Sequence, residues 1–122
     1  PPNRVGRATR GEVEIITVRG AIDMSSVDTL KRALSDACSR DNPKVVVVCE
    51  DVHYINSTGI GALYSCHCDC RAAQGGMVLC RATPRLQNLV SMIGLHQVFL
   101  QAETEEDAVS ILAPEEQETR LN

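Results

Sequence analysis

Residues 44–61 read KVVVVCEDVHYINSTGIG, and this stretch decides the fold. Its first part, Val45–Val48, is apolar on both faces of an extended chain, which is typical of a central strand that is covered on both sides or paired in parallel. Its last part contains Asn56, Ser57 and Thr58, small polar residues that suit the N-cap position of a helix. The stretch therefore predicts a buried strand followed closely by a helix.

The pattern continues toward the carboxyl terminus. A helix is predicted at Ser57–Gln74, where Gly75 closes it, and a second buried strand follows at Gly76–Arg81. With the first strand, Lys44–Cys49, these elements form a strand–helix–strand unit. Because a helical crossover joins strands that point the same way, we expect the two strands to be parallel.

Two elements are predicted before this unit. Residues 12–19 alternate between apolar and mainly polar positions, which indicates a strand with one buried face. Ser25 or Ser26 then caps an amphipathic helix that runs to about Ser39.

Three elements are predicted after the unit. Thr83 and Pro84 begin a helix that Gly94 ends, a short strand follows at Val98–Gln101, and Thr104 begins a last helix. The apolar residues that we expect these two helices to turn toward the core are Leu86, Leu89, Val90, Ile93, Ala108, Val109, Ile111 and Leu112.

The chain of 122 residues fits one domain that needs neither disulfides nor a metal to fold. We assign residues 1–11 to an N-terminal lead or edge strand, residues 12–113 to the domain and residues 114–122 to an acidic tail. The arginines of the lead are interpreted as solvated rather than as a phosphate-binding arm. The alternation of helices and strands predicts an α/β or α+β fold.

The composition excludes several classes of partner. The formal net charge is -4 and only 2% of the residues are aromatic, whereas nucleic-acid binding needs clustered Lys and Arg and uses aromatic rings on which bases stack. No apolar run reaches the roughly 20 residues of a membrane span, and no signal-peptide pattern is visible. We therefore expect a cytoplasmic protein that binds neither nucleic acid nor membrane, with its six cysteines present as thiols.

The segment Asn56–Gly61 carries the functional hypothesis. Its polar residues suit the N-cap, while Gly59 and Gly61 remove side chains from the first turn and let another surface approach the backbone. A phosphate on Ser57 would lie at the positive end of the helix dipole, which is worth about 0.3–1 kcal/mol at an exposed site. It would add about 1.5 to 2 negative charges. The alternative interpretation is an ordinary helix cap.

This segment resembles the signature of the STAS domains, a family named for sulphate transporters and anti-sigma factor antagonists. The sequence INSTGIGAL at Ile55–Leu63 is similar to the family pattern of an apolar residue, Asp, Ser, Ser or Thr, Gly, an apolar residue and Gly. Further landmarks stand in the family's order, namely Gly20–Asp23, Gly75-Gly76 before a strand, Pro84 with Leu89, and Gly94-Leu95. The resemblance extends from about Glu12 to Ala113.

The resemblance implies an α/β fold with a mixed sheet of four or five strands and about four helices packed mainly on one face. It also implies an anti-sigma factor antagonist. In bacterial members, the serine that matches Ser57 is phosphorylated by an anti-sigma factor that is itself a serine kinase and uses ATP, and a PP2C-type phosphatase removes the phosphate. The unphosphorylated form binds the anti-sigma factor and releases the sigma factor. On this resemblance the protein is not an enzyme and needs no cofactor.

The same resemblance implies a partner-facing surface. Asp23 lies in the loop that matches the family's partner-facing loop, although a simple turn or helix-entry role is the alternative. Thr58 offers a second hydroxyl group, but the place of Ser57 in the motif favours Ser57 as the phosphate acceptor. The residues expected to bind the partner are Asp23, Met24, Ser25, Asn56, Ser57, Thr58, Gly59, Ile60 and Gly61.

Position 56 departs from the family pattern, because Asn56 stands where the family usually has Asp. Asparagine accepts the same capping hydrogen bond but carries no charge. The change either eases phosphorylation of Ser57, since two anions no longer crowd the site, or weakens recognition by a kinase that expects a carboxylate. A second hypothesis is therefore a scaffold or ligand-sensing STAS domain, from a larger sensor or transporter, that is never phosphorylated.

The run Cys66-His67-Cys68-Asp69-Cys70 has the residue types of a metal site. On a helix, however, Cys66 and Cys70 share one face and Cys68 points nearly the opposite way, so the three sulfur atoms do not reach one ion. We expect no metal here, with Cys66 and Cys70 as small buried side chains and Cys68 exposed.

Overall fold

The computed structural model describes residues 4–114. Within this range the strands are β1 (Val5–Arg10), β2 (Val13–Ile22), β3 (Lys44–Ile55), β4 (Gly76–Cys80) and β5 (Leu100–Ala102). The helices are α1 (Val27–Ala37), α2 (Ser57–Ala72), α3 (Pro84–Met92) and α4 (Glu105–Leu112), with a 3-10 turn at Leu95–Gln97 before β5. None of these helices is long and apolar enough to span a bilayer.

The five strands lie in one mixed sheet in the order β1-β2-β3-β4-β5. Strand β1 is antiparallel to β2, and the pairs β2–β3, β3–β4 and β4–β5 are parallel. The mixed α/β sheet implied by the STAS resemblance and the parallel pairing of the two buried strands are both confirmed. Residues 5–10 of the predicted lead form an edge strand of this sheet.

The core lies on both faces of β3, as the run of four valines predicts. Val45 and Val47 pack against α1, α2 and α3, whereas Val46 and Val48 pack against α4. All four valines are almost completely inaccessible to solvent. Three of the four helices therefore cover one face of the sheet, and α4 covers the other.

Strand β2 is more buried than its alternating polarity predicts. Glu14 is only 6% exposed, and Ile16 is completely buried. The alternation is misleading because β2 lies inside the sheet, between β1 and β3, and packs against core residues on both faces. The Glu14 carboxylate forms an ion pair with Arg7 of the neighbouring strand β1, which offsets the cost of its burial.

Strand β3 extends past its predicted end at Cys49 and stops at Ile55. Residues 51–55 pair with Arg19–Ile22 of β2, but β4 ends at Cys80, which is opposite Val48. The last part of β3 is therefore paired on one side only. This extension carries the chain directly to the start of α2.

One predicted boundary and two predicted core residues near the carboxyl terminus were wrong. Strand β5 begins at Leu100 rather than Val98, because the amides of Val98 and Phe99 both donate hydrogen bonds to the carbonyl oxygen of Leu95 and continue the turn that precedes the strand. Ile93 is 49% exposed because α3 ends before it, and Ile111 is 46% exposed because α4 buries a different face. The predicted core residues that are buried are Leu86, Val90, Ala108 and Val109, while Leu89 and Leu112 are partly buried.

The predicted acidic tail lies outside the described residues after Pro114.

The burial pattern predicts the effect of truncating β4. Leu79→Ala removes a completely buried side chain, so we expect the free energy of unfolding to fall by about 2–5 kcal/mol. Leu100→Ala on the adjacent strand is the matched control, because Leu100 is 43% exposed, and its loss should be clearly smaller. Urea denaturation measures both values. Equal losses would contradict the burial of Leu79.

Candidate functional site

The candidate site lies where two parallel strands end at the same edge of the sheet. Ile22, the last residue of β2, pairs with Ile55, the last residue of β3. The amide of Asn56 then donates a hydrogen bond of 2.9 Å to the carbonyl oxygen of Ile22. The loop at Asp23–Ser26 and the start of α2 are thereby brought together, as a shared partner-facing surface requires.

Asn56 is the N-cap of α2. Its side-chain Oδ1 accepts a hydrogen bond of 2.7 Å from the amide of Gly59, and its carbonyl oxygen accepts one of 3.0 Å from the amide of Ile60. The amides of Ser57 and Thr58 are thus the groups at this helix end that have no hydrogen-bond acceptor within residues 4–114. Asn56 therefore accepts the capping hydrogen bond that an aspartate at this position would accept, but it carries no negative charge.

The hydroxyl group of Ser57 is exposed and makes no hydrogen bond within the described part of the chain. Thr58 beside it is also exposed. Two hydroxyl groups and two unpaired amide groups therefore face solvent at the positive end of a helix of 16 residues. Such an arrangement accepts an anionic group without any rearrangement of the backbone.

Gly59 and Ile60, which the sequence predicted to bind the partner, are both buried in the isolated chain, although Ile60 still lines the apolar groove beside Ser57. A Cβ atom on Gly59 would lie 2.6 Å from Cγ1 of Ile55 and 3.1 Å from Cγ2 of Ile22. Gly59 therefore allows α2 to pack closely on the strand ends, and Ile60 is a core residue. Gly61, in contrast, is exposed, and a Cβ atom added to it would meet no heavy atom within 4 Å, so it stays available to a partner.

The loop after β2 is organised by Asp23. Its Oδ1 atom accepts hydrogen bonds from the hydroxyl group of Ser25 (2.6 Å) and from the amide of Ser25 (2.9 Å). These bonds to Ser25 hold the pKa of the Asp23 carboxyl below its ordinary value. The carboxylate is therefore ionised and fixed, and the neighbouring Met24 side chain is 89% exposed.

Ser26 occupies the N-cap position of α1 but does not cap it with its side chain. Its hydroxyl group instead donates a hydrogen bond to the carbonyl oxygen of Ala21 and accepts one from the amide of Asp23. The side chain thus ties the two ends of the loop together. This role differs from the capping role that the sequence predicted for Ser25 or Ser26.

An apolar groove borders Ser57, and the sequence patterns did not indicate it. The groove has a volume of about 430 Å³. Its lining contains no charged side chain and consists of Tyr54, Ile55, Asn56, Ser57, Ile60, Gly61, Tyr64, Leu89, Ile93 and Leu95. Tyr54, Tyr64 and Ile93 are each 43–51% exposed. One feature of the sequence could have indicated this groove. Tyr54 and Tyr64 are the chain's two tyrosines, and both lie close to the motif at Asn56–Gly61.

The cysteine-rich part of α2 has the predicted orientation. Cys66 and Cys70 are buried, and Cys68 is exposed. His67 is buried between the rings of Tyr64 and Phe99, and this burial lowers the pKa of its imidazole. Within residues 4–114 no group of three or more His, Cys, Asp and Glu side chains is arranged to hold a metal ion.

Comparison with known proteins identifies similar sequences and folds. The family model of the STAS domain matches residues 7–108, which is most of the chain. The structure is similar to an anti-sigma factor antagonist from Mycobacterium paratuberculosis, with a TM-score of 0.78 and 20% identity over 88% of this chain and 92% of that one. It is also similar to the unphosphorylated form of the Bacillus anti-sigma factor antagonist SpoIIAA, with a TM-score of 0.73 and 20% identity over 88% and 94% of the two chains.

A third similarity is to a much larger protein. The mouse anion transporter Slc26a9 contains a region that matches 82% of this chain and 17% of the transporter, with a TM-score of 0.68 and 14% identity. At identities this low, the similarity to each of the three solved structures concerns the fold alone.

The two glycines of the first turn of α2 should respond in opposite ways to a methyl group. Gly59→Ala forces a Cβ atom into Ile55 and Ile22, and we expect it to lower the free energy of unfolding by about 1–3 kcal/mol. Gly61→Ala meets no neighbour, and we expect a gain of up to about 1 kcal/mol from helix propensity. Urea denaturation of both variants is the measurement. A stable Gly59→Ala variant would show that the helix does not need this close approach.

The capping role of Asn56 is tested by two substitutions. Asn56→Ala removes the acceptor for the amide of Gly59, so we expect a loss of about 0.5–2 kcal/mol in the free energy of unfolding. Asn56→Asp keeps the acceptor and adds a negative charge at the positive end of the helix dipole, so its stability near neutral pH should equal or exceed that of the parent. If both variants lose the same amount, the side chain of Asn56 is not the cap.

Proposed function

Because this chain belongs to the STAS domain family, we propose that it is an anti-sigma factor antagonist whose partner binding is controlled by phosphorylation of Ser57. Its unphosphorylated form binds an anti-sigma factor that is also a serine kinase, and this binding releases the sigma factor. The kinase uses ATP to phosphorylate Ser57, and a PP2C-type phosphatase reverses the step. The protein itself is the phosphate acceptor and not an enzyme, and it acts in the cytoplasm.

The observation that carries the proposal is the position of Ser57. Its free hydroxyl group lies on the rim of an uncharged groove that both tyrosines border. Tyrosine is one of the residue types that contribute most to protein–protein binding, because it buries a large area and loses little conformational freedom. The same rim therefore presents a surface for a protein partner and a group that a kinase modifies.

The expected effect of the phosphate follows from the magnitudes of two opposing terms. At the exposed end of α2 the helix dipole stabilises the phosphate by only about 0.3–1 kcal/mol. A partner that covers the groove would remove a dianion from water, which costs several kcal/mol per ion unless new charges pair with it. Phosphorylation is thus compatible with the folded domain and opposes the complex, as a reversible switch requires.

The relatives support this assignment at the level of the family. SpoIIAA, an anti-sigma factor antagonist, has been solved in both an unphosphorylated and a phosphorylated form. The uncharged cap of this chain is compatible with the same cycle, because Asn56 accepts the capping hydrogen bond and adds no charge beside the phosphate. The loop that contains Asp23 and the exposed Met24 supplies the second part of the proposed interface.

A second candidate is a scaffold or ligand-sensing STAS domain that is never phosphorylated and comes from a larger sensor or transporter. The fold similarity to a region of the mouse transporter Slc26a9 favours it. So does the absence of the family's usual aspartate at position 56. In this case the groove beside Ser57 binds its partner permanently, and no charge change at Ser57 has a regulatory role.

The switch is tested with variants that differ only in charge. The unmodified protein is used to capture its partner from lysate, and the complex is incubated with ATP while phosphate is located by mass spectrometry. We expect phosphate on Ser57 and release of the partner. Ser57→Ala should bind without release, and Ser57→Asp should bind at least about tenfold more weakly, which corresponds to about 1.4 kcal/mol.

Ser65→Asp is the matched control, because Ser65 is an exposed serine two turns further along the same helix. It changes the net charge equally and should leave partner affinity nearly unchanged. A stable complex with no phosphate transfer, and equal binding by Ser57→Ala and Ser57→Asp, would favour the scaffold over the switch.

A further inference from the structure

Three thiol groups meet between α1 and α2, although they come from two distant parts of the sequence. Cys66 and Cys70 lie one turn apart on α2, with their sulfur atoms 3.9 Å apart and buried. Cys38 follows the last residue of α1, and its thiol donates a hydrogen bond of 3.0 Å to the carbonyl oxygen of Leu34. Cys38 packs against the same buried cluster that contains Cys66 and Cys70, and it lines one groove together with Cys66.

A groove between the two helices gives access to this cluster. It has a volume of about 450 Å³, and both Cys38 and Cys66 line it. Its other end is lined by Thr58 and Gly61, which lie in the first turns of α2. Cys38 is partly exposed, whereas Cys66 and Cys70 are buried. A small reagent that enters the groove therefore meets Cys38 first.

We propose that Cys38 and Cys66 form an oxidation site that takes a hydroperoxide and closes a reversible disulfide between α1 and α2. In the first step the sulfur of Cys38 attacks one peroxide oxygen, the O–O bond breaks, and the leaving oxygen takes the thiol proton to become water or an alcohol. Cys38 is now a sulfenic acid. In the second step the sulfur of Cys66 attacks the sulfur of Cys38, the S–O bond breaks, and the hydroxide leaves as water with the proton of Cys66. Two thiols lose two electrons, and the peroxide gains them.

The geometry of α2 favours a disulfide between Cys38 and Cys66 over one between Cys66 and Cys70. Two residues four apart on a helix have Cβ atoms about 5–6 Å apart, whereas a disulfide needs about 3.5–4.5 Å. A bond between Cys66 and Cys70 would therefore distort α2. Cys38 approaches from a different helix and is free of this restriction, and Cys66 shares the groove with it.

Cys70 lies beside Cys66 in the buried part of the cluster, where one of the two thiols donates a hydrogen bond to the other. Burial raises the pKa of Cys38, so the first step is slower than at an exposed thiolate and responds to sustained rather than brief exposure to peroxide.

The proposal does not depend on the anti-sigma partner, because it concerns only thiols within this chain. The bond would join the carboxyl end of α1 to the middle of α2, the helices that begin at Val27 and Ser57. Phosphorylation of Ser57 would modify the start of α2, and oxidation of Cys38 and Cys66 would join α2 to α1. The two proposals are tested separately.

The experiment uses the full chain with Cys68→Ser as the parent, because Cys68 is exposed and would otherwise form bonds between molecules. Of the six cysteines, five then remain. After treatment with hydrogen peroxide and blocking of free thiols, we expect two of the five thiols to be lost. Non-reducing peptide mapping should find Cys38 joined to Cys66, and dithiothreitol should restore both thiols.

Cys38→Ser in the same background should keep its remaining thiols after the same treatment. The oxidised parent should also unfold at a higher temperature than the reduced parent, by on the order of 10 °C, with no such change in Cys38→Ser. Five free thiols after peroxide treatment of the folded parent would overturn the proposal. So would a bond that joins Cys66 to Cys70, or one that includes the strand residues Cys49 or Cys80.

Discussion

The amide of Asn56 donates a hydrogen bond to the carbonyl oxygen of Ile22, and this contact holds the ends of β2 and β3 together. The helix that starts at Asn56 then packs so closely on these ends that only a glycine fits at position 59. The exposed face of the first turn is left to Ser57 and Thr58. The candidate site is therefore a consequence of how tightly one helix is seated on two parallel strands.

The same seating separates residues that hold the site from residues that face a partner. Gly59 turns inward against the strand ends, whereas Ser57 and Gly61, two residues before it and two residues after it, are exposed. A change in charge on the outward side thus alters the surface without disturbing the packing below it. A binding module that is switched by covalent modification needs this independence of surface chemistry and core stability.

The parts of this arrangement that depend on local patterns were predictable from the sequence. The valines of β3, the polar cap at Asn56 and the alternation of helices with strands all appear within short windows. The features that depend on contacts between distant segments were not predictable in this way. The need for glycine at position 59 depends on Ile22, and the length of β3 depends on its pairing with β2. The thiol cluster depends on Cys38, which is remote in sequence from Cys66, so no spacing rule indicates it.

The placement of the tyrosines has a consequence for spectroscopy. The chain contains no tryptophan and two tyrosines, both of which line the groove beside Ser57. Its tyrosine emission therefore arises from the candidate site and from nowhere else in the protein. An added quencher, a bound partner or a phosphate at the rim changes the surroundings of every emitting tyrosine at once. The two tyrosines thus serve as an intrinsic fluorescence probe of the candidate site, with no added label required.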